Sequence, residues 1–190
     1  MVRMTASEEF RFNSGRISLD LSATVRRRSS QPLDVLAGPG AVARWLRDAA
    51  LVPELLKLSA DQEREVIALR ETIWELADAA ADQRPFAAQT IKFLNQAAAH
   101  PLATPQLDQK SGGILFIADD PFRTALATIA RDAIELLGGP LKAKIKACAQ
   151  PDCRMLFLDA SRSSRRRWCS MDRCGSRAKG KTFRHRHNGK

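Results

Sequence analysis

Histidine is scarce in this chain, with only His100, His185 and His187 present. No nucleophile motif, glycine-rich phosphate loop or metal-type His/Glu pair accompanies them. The sequence therefore offers no catalytic constellation, and an enzyme is not expected. Long apolar runs are missing as well. No stretch approaches the roughly 18 consecutive apolar residues of a membrane-spanning helix, so a span is excluded. The opening segment, Met1 to Glu9, turns acidic where a signal peptide needs an apolar run, so secretion is not expected. Cysteine is sparse: four in 190 residues is too few for a secreted disulfide scaffold. Internal repeats are absent. What remains is an ordinary globular composition, 44% hydrophobic and 27% charged, with a net charge of +10.

That charge is unevenly placed. Residues 1–140 carry 16 Lys/Arg against 18 Asp/Glu, whereas residues 141–190 carry 15 Lys/Arg against 3 Asp. All four cysteines lie in the basic segment. The split marks two units with different partners, 1–140 and 141–190, and the basic one is expected to meet a polyanion.

Periodicity makes the first unit mainly helical. Phe10 and Phe12, then Ile17 and Leu19, alternate with polar residues around Asn13-Ser14-Gly15, which reads as a β-hairpin. Pro39 to Leu51 reads as a helix with Val42, Trp45 and Leu46 on one face. Ser59 and Gln62 match a capping box before a stripe of Val66, Leu69, Ile73, Leu76 and Ala80. Pro85 is placed at the start of a third helix, with Phe86, Thr90, Leu94 and Ala97 or Ala98 inward. Asp119 or Asp120 caps a fourth, with Pro121 in its first turn and Leu126, Ile129, Ala133 and Leu137 as its stripe. Ile114 to Ile117 reads as a strand pairing with Leu102 to Leu107 or with the first hairpin. The basic stretch Arg26 to Pro32 and the Pro/Gly-rich stretch His100 to Gly113 read as surface connections. The fold class is α+β: a mainly helical N-terminal domain with a small β-hairpin or sheet, then a small four-cysteine module.

In that module the spacing is Cys148-x4-Cys153-x15-Cys169-x4-Cys174. Two pairs with a returning stretch suit a tetrahedral site for one structural zinc ion. Two disulfides or an iron–sulfur cluster are the alternatives. In a continuous helix Cys169 and Cys174 would lie about 140° apart, so one of them is expected at a helix end. From Cys148 onward only Met155, Leu156, Phe157, Leu158, Trp168, Met171 and Phe183 are large and apolar. So small a set needs a metal to fold, and zinc thiolates fit a reducing, intracellular setting. With all four positions filled by protein, no open site for catalysis remains. Asp172 is the only acidic residue from Arg162 to Lys190. Arg162, Arg165, Arg166, Arg167, Arg173, Arg177, Lys179, Lys181, Arg184 and Arg186 are therefore the candidate nucleic-acid contacts, because arginine forks hold phosphates. Trp168 is assigned to the module's own core.

These residues resemble the CGNR zinc-finger family. The likeness runs through Cys148-Ala-Gln-Pro-Asp-Cys153, Leu156-Phe-Leu-Asp-Ala-Ser-Arg162 and Arg166-Arg-Trp-Cys-Ser-Met-Asp-Arg-Cys-Gly-Ser-Arg177-Ala-Lys179. The naming Cys-Gly-Asn-Arg motif reads Cys174-Gly-Ser176-Arg177 here, which should spare zinc binding but not a contact made by the Asn amide. The stretch Gly15-Arg-Ile-Ser-Leu-Asp20-Leu-Ser-Ala-Thr24, with Trp45-Leu46, resembles the ABATE domain that precedes this finger; Ala23 stands where the family has Asn. The resemblance implies a bacterial, cytoplasmic, nucleic-acid-binding and stress-linked transcription regulator. DNA binding through the zinc module is the preferred reading, with RNA binding next and a protein–protein adaptor as the rival of another class. The N-terminal unit would sense a small-molecule effector, form a homodimer or contact partners. A chain ending at residue 140 is expected to fold alone.

Overall fold

The stripe that follows Ser59 forms the spine of the protein. The computed structural model describes residues 10–180. In chain order the elements are α1 (Ile17–Ser22), β1 (Val25–Arg26), β2 (Leu33–Asp34), α2 (Ala41–Asp48), α3 (Ala60–Ala81), α4 (Ala88–Ala98), β3 (Thr104–Leu107), β4 (Ile114–Ile117), α5 (Pro121–Gly138), a 3-10 turn (Pro140–Lys144), β5 (Ile145–Ala147), β6 (Leu156–Leu158) and a π-turn (Met171–Gly175). Ser59 Oγ accepts the Gln62 amide at 3.2 Å, and the Gln62 side chain accepts the Ser59 amide at 2.9 Å. This reciprocal cap starts α3, and Val66, Leu69, Ile73, Leu76 and Ala80 are all buried. Helix α5 begins where expected, with the Asp120 carboxylate accepting the Arg123 amide at 3.0 Å. It ends at Gly139, where a Cβ would stand 2.5 Å from the Glu135 carbonyl oxygen. Helices α1, α3, α4 and α5 pack on one another around a core that includes Leu19, Leu21, Trp45, Leu69 and Ile129.

Each strand pairs with its neighbour in a two-stranded antiparallel ribbon: β1 with β2, β3 with β4, β5 with β6. The registers place Val25 opposite Asp34, Leu107 opposite Ile114 and Ile145 opposite Leu158. The β3–β4 ribbon joins neither core, and Leu107, Ile114 and Phe116 stand exposed on it. No helix among the described residues is long and apolar enough to cross a membrane.

Two expectations are corrected. The segment expected to be a hairpin around Asn13-Ser14-Gly15 contains α1 instead. Ser14, Ser18 and Asp20 do not face water: the Ser14 amide donates to Asp20 Oδ1 at 2.8 Å, and the Ser18 amide donates to Asp132 Oδ2 at 3.0 Å. Burial pushes the Asp20 carboxyl above its ordinary range, opposed by that Ser14 amide. Buried, satisfied polar groups imitate the alternation of a half-solvated strand. Helix α4 starts at Ala88, with Ala87 at its cap, so Pro85 lies before the helix rather than in its first turn. The stretch Arg26 to Pro32 is the surface connection expected, exposed at Arg27 and from Ser29 to Pro32, but it is anchored at two points. Arg26 is buried, and Arg28 grips Glu71 with two hydrogen bonds of 2.7 and 3.1 Å while stacking on Trp74. Nearby, buried Arg70 holds Asp34 at 2.7 and 2.8 Å, fastening β2 to α3.

The β5–β6 ribbon sets up the site. Ile145, Leu156 and Leu158 belong to the helical core, while Met155 and Phe157 belong to a second cluster with the four cysteines and Ala23. One strand thus serves two cores through its period-2 alternation. Gly15, with a positive φ of 92°, lets the chain close on it: a Cβ there would meet Leu158 Cβ at 3.0 Å. The Leu158 amide donates to the Ser14 carbonyl at 2.8 Å.

Candidate metal centre and basic surface

Two turns bring the cysteines together. Cys148 follows β5 and Cys153 precedes β6; the Cys148 amide donates to the Met155 carbonyl at 2.9 Å and the Cys153 amide to the Gln150 carbonyl at 3.0 Å. Cys169 lies before the π-turn and Cys174 inside it. Ser170 between them is extended, and the Gly175 amide reaches back to the Ser170 carbonyl at 3.0 Å. The expected break between the second pair is therefore present. The four sulfurs lie within 4.8 Å of one another, and all four residues are buried. Cys153 and Cys169 sulfurs are 3.7 Å apart, Cys169 and Cys174 sulfurs 3.6 Å. Four thiolates at zinc–sulfur bond length would be about 3.8 Å apart, whereas a disulfide needs about 2.05 Å. The donor set fits one zinc ion, held by Cys148, Cys153, Cys169 and Cys174.

The thiols alone share protons unequally. Hydrogen bonding from Cys153 and then Cys169 pulls the Cys148 thiol down, while Cys153 is pushed up, first by Cys148. Cys169 is also pushed up, first by Cys148. A dication resolves this crowding by stabilising all four thiolates.

Around the sulfurs stand Ala23, Met155, buried Phe157 and half-buried Trp168, so Trp168 takes the core position assigned to it. Arg177 ties the two knuckles together. Its Nη1 donates to Asp152 at 2.8 Å and its Nη2 to Cys174 Sγ at 3.4 Å. These contacts, the sulfur first, raise its pKa further, so it is a permanent cation beside the metal. Ser176 Oγ donates to the Met171 carbonyl at 3.1 Å, closing the π-turn.

The basic loop between the pairs is organised by buried Asp159. Its carboxylate accepts from Lys146 Nζ at 2.6 Å, the Ser161 amide at 3.1 Å and the Arg166 amide at 3.0 Å. Lys146 above all holds that carboxyl well below the usual range. Arg166 then turns inward: its guanidinium donates to the Trp168 and Cys169 carbonyls and stacks on Phe157 at 4.4 Å. Arg162, Arg165 and Arg167 are left exposed on the same loop, as is Lys179 on the helical backbone after the π-turn. Arg173 is half-buried and faces a cavity shared with Arg11, Arg26 and Arg27. Lys181, Arg184 and Arg186 lie outside the described residues.

Two family models match. ABATE, described as "putative stress-induced transcription regulator", covers residues 15–140, and the CGNR zinc finger covers residues 144–187. The chain belongs to the ABATE family. No curated protein matches it. The ABATE region and the CGNR finger meet along β6, and further contacts join them. Arg154 of the finger donates to Asp78 at 2.9 Å and to Asp82 at 2.6 Å on α3. Ser29 and Ser30 hydroxyls donate to the Pro151 and Asp152 carbonyls at 2.9 and 3.2 Å.

Asp159, Arg11, Arg26 and Arg27 are not among the site residues that the sequence suggests. Asp159 carries a signal all the same: it is the sole carboxylate between Asp152 and Asp172 in a strongly basic segment. Arg11 carries none, because its proximity to the cysteines exists only once the chain has folded.

Proposed function

We propose that the protein is a DNA-binding transcription regulator of the bacterial cytoplasm, and that the CGNR finger supplies its DNA surface. The observation that carries this reading is the loop at Arg162, Arg165 and Arg167. These three side chains are exposed, and none forms an ion pair with a carboxylate among the described residues. Zinc on one side and Asp159 on the other fix the loop, so the guanidiniums are presented with little further ordering cost. Arginine forks match phosphate oxygens bidentately, and dense cations of one sign suit backbone contacts better than base edges. Lys179, and by charge Lys181, Arg184 and Arg186, extend the basic surface. Arg166 and Arg177 act instead as braces of the finger. The ABATE region takes the sensing or assembly role, and the reading contains no catalytic step.

The test is capture of nucleic acid bound to the full chain in its native cell, with parallel sequencing of DNA and RNA. Duplex DNA should be enriched and should dissociate at high salt. Enrichment of RNA in its place, or a protein partner that persists after nuclease treatment with no DNA recovered, would overturn it.

A further inference from the structure

We propose that the outer face of the β3–β4 ribbon is a dimerisation surface, on which a second copy of this chain packs its own ribbon face to face about a twofold axis. Of the eleven large apolar residues exposed among the described residues, five lie on this ribbon of eight: Leu107, Ile114, Leu115, Phe116 and Ile117. Residues directly opposite in an antiparallel pair project to the same side, and the side alternates along each strand. The register pairs Leu107 with Ile114 and Pro105 with Phe116, so these four make one face. Thr104, Gln106, Leu115 and Ile117 make the other. Leu107, Ile114 and Phe116 are 76%, 72% and 65% exposed, against 46% and 41% for Leu115 and Ile117. The wholly apolar face is thus the one turned furthest into solvent.

The ribbon is well built although it serves neither core. Asp108 fastens its turn: the carboxylate accepts the Ser111 hydroxyl at 2.6 Å and the Lys110 amide at 3.2 Å, and the Asp108 amide donates to the Gly113 carbonyl at 2.8 Å. Gly112 supplies a positive φ of 66°. A mere surface connection needs neither four consecutive apolar residues nor a fastened turn. A lone two-stranded ribbon is marginal in water, and an apolar sheet face becomes stable when a second sheet covers it at about 10 Å.

Charge and size both favour a second copy as the cover. A twofold contact sets a patch against itself, so any net charge on it would be doubled there. Strands β3 and β4 hold no charged residue, and Asp108 and Lys110 in the turn cancel, in a chain of net charge +10. The patch therefore meets its own copy without repulsion, and offers no charge for an acidic or basic partner to read. Its three most exposed side chains present on the order of 400 Å² of apolar surface, the size of the functional patches of monomers. With Pro105 and the rim, two copies would bury about 1,000 Å² in total, enough for a specific, reversible dimer. Such a dimer carries two fingers related by the axis, so a duplex bound by both presents two half-sites of the same symmetry. The surface itself does not depend on duplex binding.

The experiment is sedimentation equilibrium of the nuclease-treated, zinc-loaded full chain at about 0.5 M NaCl, where nucleic acid is released. The native chain should form a dimer with a dissociation constant of about 10 μM or less. The dimer should tighten as salt rises, because salt screens the like charges of the two copies; duplex binding moves the other way. Phe116→Glu and Ile114→Glu, on the apolar face, should each weaken it at least tenfold. Gln106→Glu places the same charge on the opposite face and should leave it within twofold. All three variants should keep one zinc per chain and the native helix content by circular dichroism, since the ribbon lies outside both cores. A native chain that stays monomeric at about 100 μM would overturn the proposal and leave the face to another partner or to residues 1–9 or 181–190 of the same chain. A dimer that Phe116→Glu weakens no more than Gln106→Glu does would overturn it as well. Loss of duplex binding with the dimer intact would count against the DNA-binding reading alone.

Discussion

Arginine in the ABATE region is largely a structural residue, closing on Asp34, Glu65, Glu71 and Asp132, whereas in the CGNR finger it is divided between two jobs. Arg154 and Arg177 hold carboxylates, and Arg166 holds carbonyls, but Arg162, Arg165 and Arg167 face solvent. The cores differ in the same way. The helices bury apolar stripes against one another, while the finger depends on a metal and on one strand shared with its neighbour. A region whose core is filled mainly by its own helices can neutralise its cations locally. A region held by thiolates and a borrowed core can leave its cations unpaired and accessible to phosphates.

The largest expected effect breaks the finger and leaves the helices. Cys169→Ser removes a ligand, so zinc content should fall well below one per chain by metal analysis. Amide exchange should rise over residues 161–180 while the β5–β6 ribbon stays protected, because Ile145, Leu156 and Leu158 remain in the helical core. Next, Leu158→Ala attacks the shared strand from the other side. Its cost should be about 2–5 kcal/mol by denaturant unfolding, and the destabilisation should reach the helices as well as the finger. Equal stability of the variant and the native chain would show that the strand is not common to both cores. For the same reason, ending the chain at residue 140 removes three buried side chains from the helical core. The truncated chain should be less stable than the full one, contrary to a fully independent N-terminal unit.

Much of this is legible in the sequence. The Ser59–Gln62 box, the Asp120 cap and the stripes of α3 and α5 are local signals, and each appears where periodicity and capping place it. The cysteine spacing likewise carries the metal site, since two turns and a return are enough to gather four sulfurs. What is not legible depends on tertiary partners. Helix α1 reads as strand because Asp20 and Ser18 find buried partners at Ser14 and Asp132, which no local pattern reveals. The inward turn of Arg166 is hidden because the sequence does not reveal the carbonyls of Trp168 and Cys169 beside it. The two-sided role of β6 stays hidden because Met155 to Leu158 reads simply as a short apolar run.

Smaller effects sharpen the contrast between bracing and presented arginines. Arg177→Ala should weaken zinc affinity by about 10–100-fold in a chelator competition, as removing an outer partner of a metal ligand does. Arg162→Ala should leave zinc affinity unchanged in the same assay. The least effect is expected from Ser176→Asn, which restores the family residue at an exposed position. Zinc content should stay at one per chain, and stability should change by about 0.5 kcal/mol or less.

The most direct test of the account is the salt dependence of duplex binding, measured by anisotropy for the full native chain and for Arg162→Ala, Arg165→Ala and Arg167→Ala combined. Removing one phosphate-binding cation should flatten the log–log slope by about 0.9, so the slope of the triple variant should be shallower by about 2.7. Its zinc content should equal that of the native chain. An unchanged slope in a zinc-loaded triple variant would contradict the assignment of these arginines to phosphates.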